Sequence, residues 1–170
     1  MIRRRDMLVL GALGAGGLGL VGRLLWGARP APLCEDALEC QERQSQQDLP
    51  RSDDPIWPTL KTCRVSLDKQ NGTYQLTPTP EVLAMVGKPL QVRGFVLPLD
   101  GTDQTKDFLI GVNTPVCFYH PPGDPNELME VNATSPIAWN DKPTSVIGTF
   151  TLIQNTQMGV FFKLVDARLA

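Results

Sequence analysis

The stretch PVCFYHPPGDPNELMEV, residues 115–131, brings together two side chains that could do chemistry. Cys117 and His120, the chain's single histidine, are separated by two residues, and two prolines follow at once. A thiolate and an imidazole at this spacing in a turn can both reach one metal ion at about 2.0–2.3 Å. Because the prolines restrict the backbone, these two donors would be partly in place before a metal arrives.

The remaining ligands of such a site cannot be histidines of the same chain, because there is no second one. The other candidate ligands are Asp124, Asn126, Glu127, Met129 and Cys63. Thiolates with imidazole suit zinc, whereas a set that includes a thioether suits copper. We therefore predict a zinc or copper site at Cys117 and His120, with Asp124 and Asn126 as the oxygen ligands.

The sulfur of Cys117 could instead form a disulfide. The four cysteines are Cys34, Cys40, Cys63 and Cys117. In an exported protein an even number favours disulfides. A Cys63–Cys117 bridge would close a long loop and stabilise the fold by about 3–5 kcal/mol. A Cys34–Cys40 bridge is the lesser alternative, because on one helix the two side chains would lie roughly 120° apart around the axis.

A thiol or redox enzyme that uses Cys117, with His120 as its base, is the third interpretation. Redox motifs of the Cys-x-x-Cys kind need a second cysteine, and position 120 is histidine. No phosphate-binding loop, nucleophile elbow or zinc-protease helix is present in the sequence. We therefore expect a protein that is not an enzyme.

The N-terminus has the layout of an export signal. Arg4 and Arg5 precede an uncharged, glycine-rich apolar run, which is typical of a twin-arginine signal peptide. We predict a signal helix over 1–28, recognition by the twin-arginine export machinery, and a location in the bacterial periplasm. If the signal stays uncleaved, its apolar run of about 20 residues would anchor the chain in the inner membrane, its one contact with a membrane.

Charge is divided unevenly along the chain. Residues 1–30 hold five arginines and one aspartate, whereas the rest holds 11 basic and 17 acidic residues. Nucleic-acid binding needs clustered basic side chains that neutralise phosphates, so an acidic domain without a basic stripe argues against it. Residues 29–56, which are polar and punctuated by proline, are predicted to form a linker.

Residues 57–170 are predicted to form one β-rich domain. Short segments of alternating apolar and polar residues are separated by turn signals such as Asn71-Gly72 and Asp100-Gly101. Residues 79–88 are predicted to form one short helix, with Thr79 as N-cap and Gly87 as stop. Gly94 lies inside the strongest strand and indicates a bulge or sharp bend. The fold class is therefore mainly β, a small antiparallel sheet or barrel that is similar to the oligonucleotide-binding fold.

The order of these motifs resembles a family of exported bacterial proteins, the domain of unknown function 3299. The matching positions are Gly87-Lys88, Gly94-Phe95, Pro98-Leu99, Phe108-Leu109, Cys117, His120, Pro121, Pro122 and Asn126. The resemblance runs from about Trp57 to the C-terminus. The sequence departs from the family pattern in three places: Phe118 replaces a frequent cysteine, Gly123-Asp124 interrupts the proline run, and Glu127 replaces a usual glutamine.

The resemblance implies metal handling in the bacterial envelope, because members of the family are encoded beside transport and metal-handling genes. The leading hypothesis is an exported domain that binds or delivers a metal to an envelope transporter or metalloprotein. Two alternatives stay open: a metal-free interaction module with a Cys63–Cys117 disulfide, and a thiol enzyme that uses Cys117.

Overall fold

The computed structural model describes residues 37–117 and 121–170. The predicted signal helix with Arg4 and Arg5, the cysteine at position 34, and His120 lie outside the described residues. Among the residues that are described, no helix is both long enough and apolar enough to cross a membrane.

The described chain consists of eight strands, three short helices and one 3-10 turn. The helices are α1 (Ala37–Gln46), α2 (Ile56–Lys61) and α3 (Pro80–Leu83), and the 3-10 turn is Pro125–Glu127. The strands are β1 (Arg64–Asp68), β2 (Thr73–Thr77), β3 (Pro89–Pro98), β4 (Gln104–Gly111), β5 (Leu128–Ala138), β6 (Thr144–Leu152), β7 (Asn155–Thr156) and β8 (Phe162–Leu169).

Five of the strands close into a barrel in the order β3-β4-β5-β8-β6, and β6 pairs back with β3. Every pair is antiparallel except β5 with β8. Numbered along the chain, the barrel strands run 1-2-3-5-4, which is the arrangement of the five-stranded oligonucleotide-binding barrel. The predicted fold class is confirmed.

The sharp bend predicted at Gly94 is where β3 changes its partner. Residues 89–94 pair with β6, and residues 95–98 pair with β4. A Cβ atom at Gly94 would lie 2.6 Å from the carbonyl oxygen of Gly111 and 3.0 Å from Cζ2 of Trp57. Because Gly94 has no side chain, β3 can pack closely there and pair with β6 before this residue and with β4 after it.

The barrel interior is filled by large apolar side chains, which alternate with less buried ones along β6 and β8, whereas the second halves of β3 and β4 are buried without a break. Phe108, Phe150 and Phe162 are fully buried, and the rings of Phe150 and Phe162 stack with centroids 5.9 Å apart. This burial is the main favourable contribution to folding. The period-two pattern in the sequence reports this buried face.

The second sheet has three strands in the order β1-β2-β7. The β1–β2 hairpin turns where the sequence predicts, since Asp68 accepts hydrogen bonds from Gln70 N and Asn71 Nδ2, and Gly72 has a φ of +61°. The predicted helix over 79–88 is shorter than expected: α3 ends at Leu83, and turns carry the chain to Gly87, whose φ is +77°.

Part of the segment predicted as a linker packs on the barrel. The backbone N–H of Ser52 donates to Val112 O at 2.8 Å, and its hydroxyl donates to Arg93 O at 2.5 Å. The N–H of Arg93 donates to Asp54 Oδ2 at 2.7 Å. Residues 51–54 are thus hydrogen-bonded to the barrel. The helix that follows them, α2, was not predicted from the sequence.

Candidate functional site

The predicted metal-binding residues lie on the connection from β4 to β5, residues 112–127, here called the 112–127 loop. In the barrel it joins the second strand to the third. Both of its ends are fastened to the body of the domain, each by a different set of contacts. Residues 118–120, which include His120, fall outside the described part of the loop.

The beginning of the loop is held by Asn113, a buried residue that forms a β-bridge with Arg51. Asn113 Nδ2 donates to Pro122 O at 2.8 Å, which ties the two arms of the loop together. Asn113 Oδ1 is buried and has no hydrogen-bond partner among the described residues. A side chain at Gly123 would collide with this amide, because its Cβ would lie 2.9 Å from Asn113 Nδ2.

The end of the loop is closed by a capping box around the 3-10 turn. The Asp124 side chain accepts a hydrogen bond from the backbone N–H of Glu127. In return, the backbone N–H of Asp124 donates to Glu127 Oε2 at 3.4 Å. This reciprocal pair satisfies two backbone donors at the start of the turn.

Glu127 is the most buried charged residue of the site, with 5% of its surface exposed. Its carboxylate forms ion pairs with Lys61 Nζ and, at 3.1 Å, with a guanidinium nitrogen of Arg51. Burial alone would raise the pKa of Glu127, but the hydrogen bond and charge of Lys61, the charge of Arg51 and the N–H of Asp124 together lower it below the ordinary value. Glu127 is therefore a buried anion held by two cations.

Asn126 docks the same turn onto the small sheet. Its Nδ2 donates to Cys63 O at 3.2 Å, at the residue just before β1. The loop end thus contacts α2 through Glu127 and Lys61, and the start of β1 through Asn126. These contacts fix the arm of the loop that follows His120 in the sequence.

The three described cysteines have three different environments. Cys40, on α1, is disulfide-bonded. Cys63 is 3% exposed and belongs to the hydrophobic core, whereas Cys117 is half-buried in the loop. Cys63 and Cys117 are not joined by a disulfide in this structure.

The structure brings Asp124 and Asn126 together on the 3-10 turn, and both are engaged in holding that turn. Cys117 lies on the other arm of the loop. Among the described residues, no group of three or more histidine, cysteine, aspartate and glutamate side chains is arranged to hold a metal ion. The sequence analysis considered Glu127 only as a ligand and overlooked Arg51, Lys61 and Asn113. The spacing Asp124-Pro125-x-Glu127 is a capping-box pattern that could have revealed the turn.

The closed barrel and its fastened 112–127 loop define an oligonucleotide-binding-type domain. The chain belongs to the family described as protein of unknown function (DUF3299), whose model matches residues 35–161. It is also similar to a crystal structure of a DUF3299 family protein from Pseudomonas aeruginosa PAO1, at 16% sequence identity and a TM-score of 0.43 over 56% of this chain and 67% of that chain. No curated protein matches the chain.

Proposed function

We propose that this protein is a non-enzymatic domain of the bacterial envelope that binds a transition metal through Cys117 and His120. The observation that carries the proposal is the state of the three described cysteines. Cys40 is disulfide-bonded and Cys63 is buried in the core, whereas Cys117 is half-buried, in a loop, three positions from the chain's single imidazole. The thiolate of a cysteine in this position is the form that ligates a metal.

The two ends of the 112–127 loop support this proposal. Asn113 joins one arm to Pro122, and Glu127 joins the other arm to Lys61 and Arg51. A loop that is fastened at both ends restricts how far Cys117 can move, so less entropy is lost when this thiolate binds a metal. Asp124 and Asn126 are the weaker part of the predicted ligand set, because their side chains already hold the turn.

A thiolate and an imidazole form an incomplete shell for zinc, which usually has four ligands. The remaining positions would be filled by water or by side chains of another protein. An open shell of this kind suits a domain that passes its metal to an envelope transporter or a metalloprotein. Copper in its reduced state is the other candidate, since it is favoured by soft thiolate ligands.

The proposal includes export by the twin-arginine machinery into the periplasm, on the basis of Arg4, Arg5 and the apolar run that follows. An uncleaved signal would keep the domain at the inner membrane. Of the alternatives, the metal-free interaction module would use the loop as a structural turn, with Cys63 and Cys117 joined by a disulfide. The thiol enzyme relies on the same Cys117 sulfur as the metal site.

The test is metal analysis of protein isolated from the periplasm, followed by titration with zinc and with reduced copper. We expect close to one metal ion per chain in the wild type and none after Cys117→Ser combined with His120→Ala. Asp141→Ala, on an exposed turn, is the control and should retain the metal. Equal metal content in the wild type and the double variant would overturn the proposal.

A further inference from the structure

Within the part of the chain that the structure describes, no strand lies beside one edge of the small three-stranded sheet. In the order β1-β2-β7, β1 lies at the end and pairs with β2 alone among the described strands. Its residues Arg64, Ser66 and Leu67 are exposed, Leu67 to 40%. An exposed edge strand presents backbone N–H and C=O groups that can pair with another strand.

The sequence of this strand, RVSLD, is complementary to itself in the antiparallel direction. When two copies are centred on Ser66, Arg64 of each copy stands opposite Asp68 of the other. Val65 stands opposite Leu67 in the same way, and Ser66 stands opposite itself. The strand therefore offers two opposite-charge pairs and two apolar pairs, the kinds of cross-strand pair that stabilise antiparallel sheets.

The charged pairs and the apolar pairs lie on opposite faces of the strand. Alternate side chains of a strand point to opposite faces, so Arg64, Ser66 and Asp68 share one face and Val65 and Leu67 share the other. Val65 packs against the core, so Leu67 lies on the same side of the sheet. In the pairing, Val65 of the second copy would cover part of the apolar surface of Leu67.

We propose that two copies of this chain associate through their β1 edges about a twofold axis at Ser66, which makes one continuous six-stranded sheet. The occupant is a second copy because pairing this strand with itself sets both Arg64 opposite Asp68 and Val65 opposite Leu67. Stable interfaces bury about 1,200 Å² or more, and five paired residues fall short of this. We therefore expect a weak dimer with a dissociation constant in the micromolar range. The proposal does not depend on the proposed metal.

The charge pairs give the first test, by sedimentation equilibrium of the full chain in mild detergent. Arg64→Asp places like charges opposite each other and should weaken the dimer about tenfold or more. Asp68 is left unchanged, because it also accepts the hydrogen bonds that close the β1–β2 turn. Arg64→Lys keeps both opposite-charge pairs and should retain the wild-type dissociation constant. Lys106→Asp, an equal change of charge at an exposed position of the barrel, is the control.

Position 66 gives the second test. Ser66→Cys should join two chains through a short thiol-specific cross-linker, because the two Cβ atoms would lie about 4.5–5.5 Å apart, at or just beyond the roughly 3.5–4.5 Å that a direct disulfide spans. Ser135→Cys, at an exposed position of β5, should give no such link, and peptide mass mapping separates these links from those of Cys117. Three results would overturn the proposal: a chain that stays monomeric at every concentration, a dimer unaffected by Arg64→Asp, or cross-linking of position 66 to a different protein.

Discussion

The carboxylate of Glu127 forms an ion pair with the ammonium group of Lys61, which lies 66 positions earlier in the chain. This contact fastens the end of the 112–127 loop to α2. Arg51, in the segment before that helix, forms a second ion pair with the same carboxylate. Because 5% of Glu127 is exposed, its charge depends on these two cations and on the N–H of Asp124 rather than on water. The loop that carries Cys117 is therefore fastened to the fold by a buried charge.

Replacing Glu127 with glutamine should destabilise the domain. The substitution keeps the size of the side chain but removes the charge that faces Arg51 and leaves Lys61 with its longer, 3.9 Å pair to Asp124. We expect the free energy of unfolding to fall by about 1–3 kcal/mol, the usual cost of breaking a charged hydrogen bond at a buried site. Urea denaturation measures the change. The control is Glu130→Gln, which breaks the half-exposed 2.8 Å pair with Lys163 and should cost under about 1 kcal/mol.

Glu127 should also make the free energy of unfolding depend on pH in the acid range. The pKa of Glu127 is lower in the folded protein than its ordinary value of 4.5, so the unfolded chain takes up the proton first. Its contribution is complete above the unfolded value and is lost as the pH falls through the folded value. Unfolding free energies measured from pH 7 to pH 3 should therefore decline more steeply in the wild type than in Glu127→Gln. Equal slopes would contradict this account.

The cysteines should differ sharply in reactivity. After unfolding without a reducing agent, we expect two thiols per chain to react with a thiol reagent, those of Cys63 and Cys117. In the folded protein Cys117 should react within minutes, whereas Cys63 should react only as the core opens, because it is 3% exposed. Cys117→Ser should remove the fast phase. If no thiol reacts after unfolding, Cys63 and Cys117 are bridged, and the metal-free interpretation gains support.

The paired arginines near the N-terminus should be needed for export. Changing both Arg4 and Arg5 to lysine keeps the positive charge but removes the residue pair that the twin-arginine receptor reads. We expect the protein to disappear from the periplasmic fraction and to accumulate inside the cell, as measured by fractionation and immunoblotting. Arg3→Lys leaves the pair intact and is the matched control. Continued export of the double variant would point to the general secretion route.

Much of the barrel was predictable from local patterns. The alternation along β6, β8 and the first part of β3 predicts strands, because one face of each is more buried and the side chains of a strand point alternately to its two faces. Asn71-Gly72 predicts its turn because glycine adopts a positive φ at little cost. The helix at α2 was not predicted, because its six residues, Ile56–Lys61, carry too short a pattern and follow a segment that is polar by composition.

The candidate site was predictable only in part. Cys117 and His120 are recognised from their spacing, and the capping box of Asp124 and Glu127 also has a local pattern. No local pattern identifies the partners of Glu127, because Arg51 and Lys61 come from distant positions and resemble ordinary exposed cations in the sequence. The sequence likewise suggests Asn126 as a metal ligand, whereas in the structure its amide donates a hydrogen bond to Cys63 O.

Local patterns in the sequence indicated most strands of the barrel, the turns at Asn71-Gly72 and Asp100-Gly101, and a thiol three positions from an imidazole, because each of these features depends on residues close together in the chain. The parallel pairing of β5 with β8, the division of β3 at Gly94 and the burial of Glu127 against Lys61 and Arg51 appear only in the folded structure. Those relationships arise when the barrel closes and distant segments meet, and a contact between distant segments leaves no pattern in either one.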